Sequence, residues 1–263
     1  MYQPRISNKT SEFDIYAMAG MKHNYPMILH DYCERVDSLI ANDQWDDVPS
    51  FETWWEEKGR PAPPPRRQIE AATSWLIRLI LCTQPMTDLL YTTLMRLFGP
   101  QGPSEWACWI GGCEPVVPLR TIRWLVEKRG IIIDWNTSKQ PGMPPLLWVA
   151  LTVPEERGRT YMTYLLENGA DPMLPSEDRQ PLFMAYLCRV LTTNGRWLGR
   201  EECLRRVELL LQFGADPMLP DGSGYTSIDL IRGAHAFTRV TAEEQEIWLS
   251  VLEREASNRM NPT

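Results

Sequence analysis

A chain of 263 residues with 43% hydrophobic and 23% charged residues can bury a core, which excludes a globally disordered protein. Its net charge of −7 argues against a nucleic-acid binder, which needs a basic face. The most apolar window, Trp75 to Leu81, is too short to span a bilayer and contains Arg78, and the first residues lack a signal peptide's apolar core. These features predict an intracellular protein, cytoplasmic or nuclear, with free thiols and no membrane partner.

Residues 1–25 are polar and aperiodic and read as a loose arm. Residues 26–58 form an acidic helical segment. In it Met27, Ile28, Tyr32, Val36, Leu39 and Ile40 recur at helical spacing. Ser50 is placed to cap a second short helix carrying Trp54 and Trp55. The acids from Asp31 to Glu57 face only Arg35 and Lys58, which suits a solvated helical face or, alternatively, an acidic docking surface. Residues 59–67, Gly-Arg-Pro-Ala-Pro-Pro-Pro-Arg-Arg, read as a stiff linker, because proline removes an amide donor and disfavours helix before it. A proline-motif ligand is the alternative there. Residues 68–99 predict a helical hairpin, Gln68 to Cys82 and Met86 to Phe98, stopped by Gly99-Pro100.

The stretch 102–257 follows a repeat logic. Gly169-Ala170-Asp171-Pro172-Met173-Leu174-Pro175 returns letter for letter as Gly214-Ala215-Asp216-Pro217-Met218-Leu219-Pro220, 45 residues later. Each copy follows an apolar run of helical type, and a phrase repeated with its upstream pattern signals a repeat architecture. Gly169 and Gly214 suit a left-handed helix stop, Asp171 and Asp216 can accept turn amides, and the prolines prevent the helix from resuming.

Helix pairs are predicted at Ser104–Ile110 with Val117–Lys128, and at Pro144–Ala150 with Glu155–Asn168. The third pair opens at Gln180 and closes with Glu201–Phe213 after an insertion near Thr192–Arg196. The fourth opens at Gly224 and ends in a helix from Thr241 to Glu255, where Thr241 and Glu244 make a capping box. Gly111-Gly112 ends the first of these helices and Gly130 the second, followed by an extended run, Ile131 to Trp135, and a turn at Lys139–Gly142. Residues 258–263 are a tail.

These residues resemble ankyrin repeats. Val207-Glu208-Leu209-Leu210-Leu211-Gln212-Phe213-Gly214-Ala215-Asp216 and the matching run from Met162 to Asp171 follow the family's helix close. Gly224-Tyr225-Thr226-Ser227-Ile228-Asp229-Leu230 follows its Gly-x-Thr-Pro-Leu-His opening imperfectly. The family's His is absent; Ala107, Leu147, Phe183 and Asp229 stand in its place. Spacings of 39 and then 45 residues between the glycines exceed the family period of about 33. The resemblance implies an all-α, ankyrin-like helix-pair solenoid with an N-terminal helical extension. It also implies that hairpin tips and first helices line a concave binding face. The residues so placed are Lys139, Met143, Trp148, Arg179, Met184, Asp221, Ser223 and Tyr225.

No chemistry competes strongly with that expectation. His23, His30 and His235 are scattered, Cys108 and Cys113 lack a flanking base, and no zinc spacing, phosphate loop or hydrolase motif is present. No cofactor or metal is expected. Five Trp between Trp106 and Trp148 suit an irregular core or an aromatic recognition surface. The sequence therefore predicts a non-catalytic interaction module or adaptor that binds another protein. The alternatives are an enzyme or small-molecule binder with a pocket between N-terminal helices and repeats, and a structural piece in which those helices cap the array.

Overall fold

The computed structural model describes residues 27–59, 66–83, 85–111, 116–137, 144–175, 180–193, 198–233 and 241–260. Among these residues the protein is all-α with no strand; one isolated antiparallel bridge pairs Pro175 with Pro181. The chain divides into two compact units, Met1–Ile133 and Asp134–Thr263, and the division falls inside the 102–257 stretch.

The first unit contains α1 (Met27–Ala41), a 3-10 turn at Trp45–Asp47, α2 (Phe51–Glu57), α3 (Arg66–Cys82), α4 (Asp88–Phe98), α5 (Pro103–Gly111) and α6 (Leu119–Arg123). The last continues as a π turn over Trp124–Lys128. Ser50 caps α2 by accepting the Thr53 amide at 3.1 Å. Thr87 caps α4 by accepting the Leu90 amide at 3.3 Å, so that helix starts after the predicted Met86. Arg66 and Arg67, assigned by sequence to the linker, belong to α3, where Arg66 pairs with Glu70 one turn on at 2.9 Å. Residues 60–65 and the arm 1–25 lie outside the described residues.

The core of this unit is aromatic. Tyr32 of α1 meets Phe51 at 5.2 Å, Trp54 at 5.5 Å and Trp75 at 6.2 Å between centroids, all edge-on, the arrangement that ring quadrupoles favour. Its hydroxyl donates to the Pro49 carbonyl at 2.9 Å, and burial pushes its pKa well above the ordinary tyrosine value. Arg96 of α4 donates to the Trp45 and Val48 carbonyls at 3.3 and 2.9 Å, satisfying the end of the 3-10 turn. The acids between Asp31 and Glu57 lie mostly on the exposed side, while Val36, Leu39, Trp54 and Trp55 are buried, so the segment is amphipathic. At the far end Arg129 stacks over Tyr91 at 4.7 Å and Trp124 at 5.1 Å and pairs with Asp88.

The second unit holds α7 (Pro145–Thr152), α8 (Glu155–Glu167), α9 (Leu182–Thr193), α10 (Arg200–Gln212), α11 (Ser227–Gly233) and α12 (Ala242–Met260). These helices pack as three pairs, α7 with α8, α9 with α10, and α11 with α12. The pairs stack in two rows. One row runs α7–α9–α11, the other α8–α10–α12. In the middle of the first row, α9 has a neighbour on each side and α10 behind it. Phe183, Tyr186, Leu187 and Val190 are therefore all buried, at about 1.5–3 kcal/mol for a large apolar side chain. The last helix runs to Met260, into the predicted tail, and Thr241 and Glu244 form the expected reciprocal cap at 2.7 and 3.2 Å.

One charged side chain is sealed inside this unit. Arg206 of α10 is 0% exposed. Its Nε donates to Glu202 at 2.9 Å, while its two terminal nitrogens donate to the Ala150 and Val153 carbonyls at 2.8 and 2.7 Å. Those carbonyls belong to the end of α7, where a helix leaves acceptors unfilled. Glu202 also takes Arg159 of α8 at 3.1 Å, so the ion pair joins three helices. Room for the guanidinium comes from Gly158, where a Cβ would lie 2.3 Å from an Arg206 nitrogen and 2.5 Å from the Val153 carbonyl oxygen.

Candidate interaction surface

The repeated phrase builds the same turn twice. After α8, Gly169 takes φ +95°, and after α10, Gly214 takes φ +99°, a region that favours glycine. In each case the amide after the glycine returns to a carbonyl of the last helical turn: Ala170 to Leu165 at 2.9 Å and Ala215 to Leu210 at 3.0 Å. The glycine amides bond Leu166 and Leu211, which completes the Schellman closure. Asp171 then accepts the Met173 amide at 2.7 Å and Asp216 accepts the Met218 amide at 2.9 Å. Asp134 holds Asn136 in the same way at 3.1 Å, so three turns share one design.

Successive turns are also joined to one another. The side chain two positions after each aspartate reaches the next aspartate's amide. Asn136 accepts the Asp171 N–H at 2.8 Å and donates to the Gly169 carbonyl at 3.1 Å. Met173 accepts the Asp216 N–H on its sulfur at 3.2 Å. The carbonyls at the end of α10 and just after it are closed from the other side, by Arg259 of α12, which donates to Leu211 at 3.4 Å and to Ala215 at 2.9 Å.

The last turn carries the loop from Asp221 to Tyr225. The Asp221 carboxylate accepts the Ser223 and Tyr225 amides at 2.8 and 3.0 Å, and its own amide donates to the Tyr225 carbonyl at 2.9 Å. Asp221 thus closes the loop, and Ser223 and Tyr225 are held outside it. Tyr225 is 63% exposed. At the head of α11, Thr226 and Asp229 cap each other at 2.7–3.1 Å, and those bonds pull the Asp229 carboxyl below its ordinary pKa. Asp229 stands where the resemblance expects histidine and supplies a local cap instead.

The predicted site residues divide as follows. Asp221, Ser223 and Tyr225 come together in this one loop. Trp148 lies half-buried on α7, in the same helix row as α9 and α11, and among the described residues its indole N–H makes no hydrogen bond. Met184, expected on the binding strip, is 2% exposed and belongs to the core, because both flanks of α9 are covered. Lys139, Met143 and Arg179 lie outside the described residues, as do Cys113, His23 and His235. The expected turn residues Gly169, Asp171, Gly214 and Asp216 all occupy turn positions.

Sequence reasoning passed over an apolar concentration on the last turn. Among the described residues the exposed large apolar side chains are Ile132, Phe213, Met218, Leu219, Tyr225 and Ile247. Four of those six fall between residues 213 and 225. Met218 and Leu219 are 45% and 43% exposed. The signal was present in the repeated phrase: Met218 repeats Met173, but in a copy that no further turn follows.

Burial raises the pKa of the Cys203 and Cys188 thiols, which opposes thiolate formation; the Gln180 amide donates to Cys188 sulfur at 3.3 Å. Among the described residues no three His, Cys, Asp or Glu side chains group as metal ligands, and no helix is long and apolar enough to cross a membrane. Compared with known proteins, the chain matches no family model and no curated protein.

Proposed function

We propose that this chain is a protein-binding module whose second unit is an ankyrin-type array, with a partner seated on the tips and first helices. The stacked helix pairs and the repeated, mutually bonded turns support that reading. The observation that carries it is the last turn, where Met218 and Leu219 stand exposed beside the Asp216 turn and Tyr225 stands exposed on the loop closed by Asp221. Exposed apolar side chains grouped on a rigid turn are what an interface core needs, and Tyr is a favoured anchor. The half-buried Trp148 lies on α7, in the same helix row as α9 and α11, with its indole nitrogen buried.

The test is affinity capture with mass spectrometry, followed by binding of the purified partner. Tyr225→Ala, the pair Met218→Ser with Leu219→Ser, and Trp148→Ala are compared with the parent chain. The proposal expects a protein retained by the parent and lost from the Tyr225 and Met218/Leu219 variants, with unchanged melting midpoints. A partner retained equally by all of them would overturn it.

A further inference from the structure

The joints between the turns differ in chemistry, although their position is the same. At the first joint the acceptor is the Asn136 amide oxygen, and at the second it is the Met173 thioether. A thioether is a weak acceptor with a soft lone pair, and it is open to two-electron oxidation, which the amide is not. Met173 and Met95 are partly exposed, whereas Met86, Met162 and Met184 are buried in cores; the Met95 sulfur lies within α4 and joins no turns. Met218 is more exposed than Met173, but its sulfur holds no following turn. Among the described methionines, Met173 therefore combines access to solvent with a hydrogen bond between turns.

We propose that Met173 is an oxidation-sensitive joint between the second and third turns. A peroxide transfers one oxygen to the sulfur: the S–O bond forms, the peroxide O–O bond breaks, the thioether becomes a sulfoxide and water leaves. The new oxygen occupies one sulfur lone pair and makes the side chain polar and larger. With the Asp216 nitrogen only 3.2 Å from the sulfur, there is no room for an oxygen between them. Oxidation on the lone pair that faces the amide makes the side chain rotate, and the Asp216 amide loses its thioether acceptor. The turn that begins at Asp216 then loosens from its neighbour, while the Asn136 joint stays closed. Reduction of the sulfoxide restores it. This inference does not depend on the partner reading.

The experiment uses the full chain treated with hydrogen peroxide, with sulfoxides located by peptide mapping and amide exchange followed by mass spectrometry. Oxidation at Met173 is expected to speed exchange at the Asp216 amide by roughly two- to threefold, the low end of the effect of losing one hydrogen bond, with no change at the Asp171 amide. Methionine sulfoxide reductase should reverse it. Met173→Leu should exchange fast at Asp216 from the outset and ignore peroxide, and Met218→Leu should respond like the parent chain. Two results overturn the proposal: Met173 remaining a thioether while Met218 is oxidised, or Asp216 exchange unchanged in chains carrying the Met173 sulfoxide.

Discussion

Asn136 and Asp171 are bound across two successive turns: the Asn136 side chain accepts the Asp171 amide at 2.8 Å and donates to the neighbouring Gly169 carbonyl at 3.1 Å. One side chain thus fills a donor and an acceptor that a helix close and its following turn would otherwise leave to water. Asn136→Ala is expected to lower stability by about 1 kcal/mol, the scale of a net protein hydrogen bond. Denaturant midpoints for the parent and variant check this.

The second joint can be strengthened by copying the first. Met173→Asn places at the second joint the amide that works at the first, able to accept from Asp216 and to donate to the Gly214 carbonyl, which Arg259 reaches only at 3.5 Å. A gain of roughly 0.5–1 kcal/mol is expected, since one weak acceptor is replaced by two ordinary bonds. The same denaturant series decides it, and a loss of stability would show that the two turns are not equivalent in geometry.

Gly158→Ala is expected to cost more than most helix-interior changes to alanine, which ordinarily stabilise. The added Cβ meets the Arg206 guanidinium at 2.3 Å and the Val153 carbonyl at 2.5 Å. Overpacking of that kind costs about 1–3 kcal/mol. Coupling with Arg206→Met in a double-mutant cycle should be large, because part of the clash disappears with the guanidinium.

Gly169→Val is expected to destabilise by more than the ~1 kcal/mol typical of glycine-to-alanine helix effects. The reason is backbone, not space: no atom lies within 4 Å of a Cβ there, but φ is +95°. Calorimetry of Gly169→Val beside Gly169→Ala checks that the β-branched residue is the worse of the two.

Cys203 gives a prediction in pH. Burial raises its thiol pKa in the folded chain, whereas the unfolded thiol titrates near its ordinary value of about 8.5. The folded protein thus keeps a proton that the unfolded chain releases. Its contribution is complete below about pH 8.5 and is lost as pH rises toward the folded value. Cys203→Ala should flatten the decline in stability measured between neutral and alkaline pH, and native Cys203 should resist alkylation at pH 7.

Much of this was legible in the sequence because it is local. A capping serine, a glycine after a helix and the Thr241–Glu244 pair depend on neighbours a few residues away. The helix starts shifted by only a residue or two, where Thr87 or Arg66 set the true first turn. The joints between turns were not legible, since Asn136 and Asp171 meet only after two helices have intervened. In the sequence Arg206 stands one turn from Glu202, and only the carbonyls at the end of α7 explain its burial. Met184 was misplaced for a related reason. The opening of a middle helix pair was expected to face a partner, but α9 is covered by the pairs on either side. The π turn at Trp124–Lys128 also left no mark in composition, although it sends the Ile131 amide to Leu125, one residue further back than in the closures at Ala170 and Ala215.

The buried Arg206 sets where the chain can be cut. Its guanidinium finishes a helix that begins more than fifty residues earlier, so α7 is incomplete until α10 has been added. A fragment ending before Arg200 would leave the Ala150 and Val153 carbonyls without their guanidinium donor and would open the packed end of α7 to water. Once the last pair, α11 and α12, is removed, the second unit cannot therefore be shortened further one helix pair at a time, as a modular array often can. Deletion series should show a single sharp loss of structure, with the second pair falling together with the first.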